Sequence, residues 1–123
     1  MDSNLKNTLV LGATTKPERY ANIATLRLLE NGHKVFAFGQ KAGKIEDLEI
    51  ETEWNPTWDV DTVTLYLNPT NQIPYYQKII DLKPKRVIFN PGTENAEFSE
   101  MLNENGIESE IACTLVLLSL GTY

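Results

Sequence analysis

Cysteine and histidine are the scarcest reactive residues in this chain: one of each in 123 residues. A single cysteine, Cys113, leaves no intrachain disulfide to form. One Cys and one His also exclude a Cys/His zinc cluster, and with His33 placed just after a helix-ending glycine, no Ser-His-Asp or Cys-His arrangement is credible. His33 itself reads as a solvated turn residue. Long apolar runs are missing too. Nothing approaches the roughly 18 residues of a membrane-crossing helix. The start, Met1-Asp2-Ser3-Asn4-Leu5-Lys6, has neither the basic opening nor the apolar centre of a signal peptide. Both Asn-x-Thr triplets, Asn55-Pro56-Thr57 and Asn68-Pro69-Thr70, contain the proline that blocks glycosylation. A cytoplasmic location is expected. Basic charge is in short supply as well: 11 Lys/Arg against 17 Asp/Glu give a net charge of -6. That balance argues against nucleic acid and against an anionic membrane surface as partners.

What is present suits one domain spanning residues 1–123. With 41% hydrophobic and 23% charged residues, the chain can bury a core. It has no repeat, linker or low-complexity segment. Thr8-Leu9-Val10-Leu11 reads as a strand buried on both faces, ending at Gly12-Ala13. Tyr20, Ile23, Ala24, Leu26, Leu28 and Leu29 recur at helical spacing and are followed by Gly32. Val35 to Phe38 is the next strand, so the first forty residues form a βαβ unit. Gln40 to Trp58 is irregular, with one short strand near Glu49 to Thr52. Thr62 to Leu67 and Arg86 to Phe89 are strands stopped by Asn-Pro pairs. Between them Tyr75, Tyr76, Ile79 and Ile80 fit a helix with Pro74 in its first turn. Phe98, Met101 and Leu102 mark a helix ended by Gly106, and Ile107 to Ile111 a last short strand. The apolar run Leu115 to Leu120 favours a short helix. The alternation predicts a Rossmann-like, doubly wound, mostly parallel five-stranded sheet with helices on both faces.

Ligands of such sheets bind beyond the carboxyl ends of the strands, near the reversal of strand order. Those ends carry Gly12-Ala13-Thr14-Thr15, Gly39-Gln40-Lys41, Asn68-Pro69 and Asn90-Pro91-Gly92. These small, turn-forming residues suit a backbone-lined crevice. The first turn is the natural place for a phosphate, because helix N-terminal N–H groups and the helix dipole favour negative charge. Lys16 and Arg19 add side-chain charge there. The full G-x-G-x-x-G fingerprint is absent, so a turn that binds nothing stays open. After the second strand an NAD site has an acid for the ribose. Here stand Gly39-Gln40-Lys41 and then Lys44, which suits a phosphorylated ribose. Coenzyme A and NADP both carry one, and two solvated loop lysines are the plain alternative.

At these residues the chain resembles a known family. Leu11-Gly12-Ala13-Thr14-Thr15-Lys16-Pro17-Glu18-Arg19-Tyr20 is similar to the opening of the small single-domain CoA-binding proteins, relatives of the nucleotide-binding domain of the succinyl-CoA synthetase alpha subunit. Thr14 stands where the family usually has Ser. Asp59-Val60-Asp61, Pro91-Gly92 with Glu94, and Cys113 fall on further family positions. Gly39-Gln40 replaces a common Asn-Pro, and Leu67-Asn68-Pro69 a frequent basic residue. The resemblance implies a Rossmann-like domain that binds coenzyme A or an acyl-CoA, usually with no assigned reaction. It would place the pyrophosphate at Gly12 to Thr15 with Lys16, Arg19 and Tyr20. Lys41 and Lys44 would face the ribose phosphate. Asn68, Pro69, Asn90 and Gly92 would line the base or the pantetheine arm. An NADP-binding enzyme or sensor is one rival. The other is an interaction module with a vacant crevice, a homodimer through the apolar C-terminal run or a partner of another protein. Trp54 and Trp58 are expected to cover the sheet edge rather than stack on a base. Cys113 is expected to be a small buried hydrophobe rather than a thiol that exchanges with a CoA disulfide. The acids of Glu46 to Glu53 read as a solvated face.

The acidity is uneven. Residues 1–45 carry seven Lys/Arg and three acids, net +4, and residues 46–123 are net -10. The half with the expected phosphate site is locally basic.

Overall fold

The computed structural model describes residues 5–123. In chain order the elements are β1 (Thr8–Leu11), α1 (Tyr20–Glu30), β2 (Val35–Phe38), β3 (Gly43–Ile45), β4 (Leu48–Glu51) and β5 (Thr62–Leu65). There follow α2 (Pro69–Gln72), a 3-10 turn (Ile73–Tyr75), α3 (Tyr76–Leu82), β6 (Arg86–Phe89), α4 (Ala96–Glu104), β7 (Glu108–Ile111) and α5 (Thr114–Leu120). All strands join one sheet in the order β3-β4-β2-β1-β5-β6-β7. Every pairing is parallel except β3 with β4. The expected α/β class holds, but the sheet has seven strands and not five. The irregular stretch after β2 forms two strands: β4 lies where a short strand is expected near Glu49 to Thr52, whereas β3 has no counterpart in that expectation. A hairpin there pairs Ile45 with Leu48 across a turn in which Glu46 adopts φ 54. Such a left-handed position is usually filled by Asn or Gly, so glutamate gave no turn signal. The acids Glu46, Asp47, Glu49, Glu51 and Glu53 are all exposed on and after this hairpin.

Strand alternation divides the core in two. Leu9, Leu11, Val63, Leu65, Val87 and Phe89 point to the face covered by α3 and α4, through Ile79, Ile80, Phe98 and Leu102. Val10 and Ala37 point to the other face, under Ala21 and Leu28 of α1 and Leu118 of α5. The split follows from handedness. From β1 the chain runs outward to β2 on one side and later to β5, β6 and β7 on the other. Right-handed crossovers in opposite directions place their helices on opposite faces. The reversal lies between β1 and β5, and this locates the crevice.

Several side chains lie elsewhere than their local sequence suggests. His33 is buried at 8% exposure rather than solvated. Its Nδ1 accepts the Lys6 backbone N–H at 2.9 Å, and its ring edge meets Tyr123. The chain's last residues return to the amino ends of the strands. There the Tyr123 hydroxyl and Thr8 Oγ1 lie 2.6 Å apart, and the Arg86 guanidinium sits 4.6 Å from the Tyr123 ring centre. Trp58 stacks on Phe36 and meets Phe38 and Trp54 edge-on, while Trp54 packs beside Tyr75. The two indoles thus cover β2, an interior strand, on the α3 face rather than closing the sheet edge. Cys113 is half-buried at the start of α5.

Candidate functional site

The turn after β1 is built by three close approaches. Gly12 and Ala13 both donate their N–H to the Phe38 carbonyl at 2.9 Å, bringing the ends of β1 and β2 together. Gly12 has φ +102, and a Cβ there would sit 3.0 Å from the Tyr66 carbonyl group. Only glycine adopts that conformation without strain. Gly39 is buried, and a Cβ on it would collide with the Ala13 carbonyl oxygen. Beyond this knot the loop is held from α1. Buried Asn22 donates to the Thr14 carbonyl at 2.9 Å, and the Lys16 N–H reaches Thr14 Oγ1 at 3.2 Å.

The bonding leaves particular donors over. The amides of Gly12 and Ala13 are consumed by Phe38. Among the described residues, none accepts from the N–H of Thr14 or Thr15. The same holds for Tyr20 and Ala21, the first two residues of α1, whose N-cap Arg19 gives no side-chain bond. Such first-turn amides have no intrahelical acceptor and carry the positive end of the helix dipole.

Two clefts flank the turn. The larger, of about 490 Å³, has Gly12 to Lys16 on one wall and Gly39, Gln40 and Lys41 on another. Phe38, Leu67, Asn71, Pro74 and Tyr75 complete it. The smaller, of about 310 Å³, lies toward α1 and is lined by Gly12, Thr14, Lys16, Arg19, Tyr20, Ala21 and Tyr66. Gly12, Thr14 and Lys16 belong to both. Among the described residues no carboxylate lines either cleft, and neither does the histidine or the cysteine. Burial pushes the Tyr66 hydroxyl well above its ordinary pKa, against the opposing pull of hydrogen bonds from Thr64 and Thr114. It therefore stays protonated at neutral pH.

Of the residues expected at a site, Gly12, Ala13, Thr14, Thr15, Lys16, Arg19, Tyr20, Gly39, Gln40 and Lys41 come together around these two clefts. Asn68, Pro69, Asn90 and Gly92 lie outside both linings, as does Lys44, which is exposed on β3. Asn68 instead caps α2 by accepting the Asn71 N–H at 2.9 Å, and Pro69 is the helix's first residue. Asn90 is 1% exposed and bonded on every side. Its Nδ2 donates to Thr64 Oγ1 at 2.7 Å and to the Leu65 carbonyl at 2.9 Å. Its Oδ1 accepts from the Thr114 N–H at 2.9 Å. The Gly92 N–H is held by the Glu94 carboxylate at 2.8 Å. The cleft residues that local sequence reading misses are Ala21, Phe38, Tyr66, Leu67, Asn71, Pro74 and Tyr75. Asn71 to Tyr75 arrive there because buried Gln72 donates to both the Leu67 and Thr93 carbonyls, pinning the segment across the strand ends. The Asn68-Pro69 cap was the available signal that the chain turns here.

A mostly parallel sheet with its crevice at the β1/β5 reversal, lined by a tight glycine turn, defines an α/β domain of nucleotide-binding type. More particularly, residues 6–119 match the family model of the CoA binding domain, and the chain belongs to that family. No curated protein matches it. Among solved structures, it is similar to a crystal structure of a protein described only as uncharacterized. Identity there is 54%, coverage 97% of this chain and 98% of that one, and the TM-score 0.94. A hypothetical protein from Pyrococcus horikoshii is 27% identical over 92% of this chain and 81% of that one, with a TM-score of 0.81. A Thermus thermophilus protein shares the fold at 22% identity, with a TM-score of 0.86 over 98% of this chain and 92% of that one. No helix among the described residues is long and apolar enough to cross a membrane.

Proposed function

We propose that the chain binds coenzyme A or an acyl-CoA across the two clefts and catalyses no reaction of its own. The observation that carries this reading is the charge of the site. In a chain of net charge -6, the two clefts hold no carboxylate of the described residues and together gather Lys16, Arg19 and Lys41 beside amides that no described residue accepts from. Such a surface suits a polyanion. The pyrophosphate lies at the N–H groups of Thr14 and Thr15, with Lys16 and Arg19 supplying counter-charge. Lys41 faces the ribose phosphate, and the base lies against Phe38 and Tyr75. The family membership supports the same ligand. The absence of a lining carboxylate, imidazole or thiol among the described residues supports a carrier, sensor or partner-subunit role.

Titration calorimetry of the purified chain with CoA and, separately, with NADP tests the proposal. Saturable CoA binding is expected. Replacing Lys16 and Arg19 with Ala should weaken it and flatten its salt dependence, because screened charge pairs are removed. Saturable binding of NADP alone would overturn the reading. CoA affinity unchanged by the double replacement would place the phosphates elsewhere.

A further inference from the structure

The acidity of this protein has an address. Residues 1–86 contain eleven Lys/Arg and eleven Asp/Glu, whereas residues 87–123 contain six glutamates and no Lys or Arg. The whole net charge of -6 therefore resides in the segment that forms α4, β7 and α5. Among the described residues, only Glu110 of the six has a basic partner, Arg86 at 3.2 Å. This acidic segment also holds one open edge of the sheet. Among the described residues, β7 pairs with β6 on one side and with nothing on the other. The N–H groups of Glu108 and Ala112 turn inward, to Lys85 and Phe89. By the alternation of a parallel ladder, Ser109 and Ile111 present their N–H and C=O outward. Beside this edge runs a groove of about 860 Å³ between β7 and α4. Its floor is apolar, with Phe89 and with Ile111 at 75% exposure, and Glu94, Glu100 and Glu104 stand on its wall.

We propose that the β7 edge is a docking site for a basic, extended segment of a partner protein, which adds to the sheet as an eighth strand. Main-chain bonds would form with Ser109 and Ile111. Side chains on one face of the added strand would enter the groove, apolar against Ile111 and basic toward Glu100 and Glu104. Side chains on the other face would meet Glu108 and Glu110. A second copy of this chain fits poorly. Antiparallel pairing of β7 with itself centred on Ser109 sets Glu108 opposite Glu110, and pairing of Ser109 with Ile111 sets Glu110 opposite Glu110, where like charges destabilise a ladder; pairing centred on Ile111 leaves Glu108 and Ser109 beyond the end of the partner strand. The same glutamates protect the edge against self-association. The site lies away from the clefts around Gly12 and shares no lining residue with them. It does not depend on the identity of their ligand.

The test uses the full chain and a short fluorescein-labelled peptide with lysine on one strand face and both valine and lysine on the other, followed by fluorescence anisotropy at low salt. Saturable binding that weakens with added salt is expected. The same peptide N-methylated at alternate residues keeps its charge but cannot pair, and should bind at least about tenfold more weakly. In the protein, Ile111→Pro removes one outward N–H while sparing the inward ladder, and should weaken binding to a similar extent. The double replacement Glu100→Lys with Glu104→Lys should weaken it further. Equal binding of the methylated and plain peptides would reduce the surface to unspecific charge attraction and overturn the proposal, whether or not the proline variant folds. A chain dimer in sedimentation that dissolves on Ile111→Pro would also overturn it.

Discussion

Asn90 offers the sharpest division between what its position in the sequence suggests and what its environment shows. It follows a strand at the carboxyl edge, where ligand-contacting residues are expected. In the fold, its side chain makes three hydrogen bonds that tie β5, β6 and the start of α5 together. Asn90→Ala removes all three and leaves the Thr114 N–H and the Leu65 carbonyl without those partners in a region closed to water. At about 1 kcal/mol for each bond lost, the expected destabilisation is about 3 kcal/mol. With an unfolding entropy of about 2.1 cal/mol/K per residue, the melting temperature should fall by about 12 °C. Asn90→Asp should fare no better. It keeps an acceptor for Thr114, loses the donor for Leu65, and brings a carboxylate into a buried site. Urea unfolding and CoA calorimetry on the same variant separate the two roles. The structural role requires a large loss of stability, with CoA affinity of the folded fraction preserved at low temperature. A loss below about 1 kcal/mol, or abolished CoA binding at unchanged stability, would refute it.

Further expectations follow from the same geometry. Gly39→Ala drives a methyl group into the Ala13 carbonyl and should cost about 1–3 kcal/mol in urea unfolding while weakening CoA binding, because the displaced turn carries the site. Stability within about 0.5 kcal/mol of the parent would contradict the close approach. Burial raises the Tyr66 pKa in the folded state above its unfolded value near 10. The resulting stabilisation is therefore complete below about pH 10 and is lost as pH rises toward the folded pKa. Unfolding free energies of Tyr66→Phe should fall less steeply above about pH 10 than those of the parent, and identical slopes would sink the assignment. Trp58→Ala opens a cavity among Phe36, Phe38 and Trp54, with an expected loss of about 3–5 kcal/mol in equilibrium unfolding.

Much of the architecture is legible locally. Thr8–Leu11, Val35–Phe38 and Arg86–Phe89 are short apolar runs with turn residues at both ends, and each forms a strand within those bounds. The stripe from Tyr20 to Leu29 and the following Gly32, at φ +86, place α1 to within a residue or two. β4 is legible as the short strand near Glu49, but β3 and the turn that joins the two are not, because a glutamate occupies the left-handed position and β3 is only three residues long. The burial of His33 is not legible either, since its neighbour Tyr123 lies ninety residues away in the chain. The same limit applies at the clefts. Gly12 to Lys16 and Gly39 to Lys41 stand next to strand ends and can be named from sequence. Tyr66 and Tyr75 read as part of a strand and of a helix stripe; Tyr75 becomes a cleft residue only when Gln72 ties its segment across the sheet.

The amino-acid order by itself determined the alternation of strands and helices, the glycine turn after β1 and the separation of a basic first third from an acidic remainder. These are properties of neighbours: hydrophobic period, backbone freedom and formal charge depend on residues a few positions apart. Only the tertiary structure decided that Asn90 binds the fold together and that no carboxylate of the described residues enters the clefts. Only it showed that the surplus glutamates gather beside an open strand edge. Each of these depends on which distant segments lie side by side, and that is set by strand order and crossover handedness.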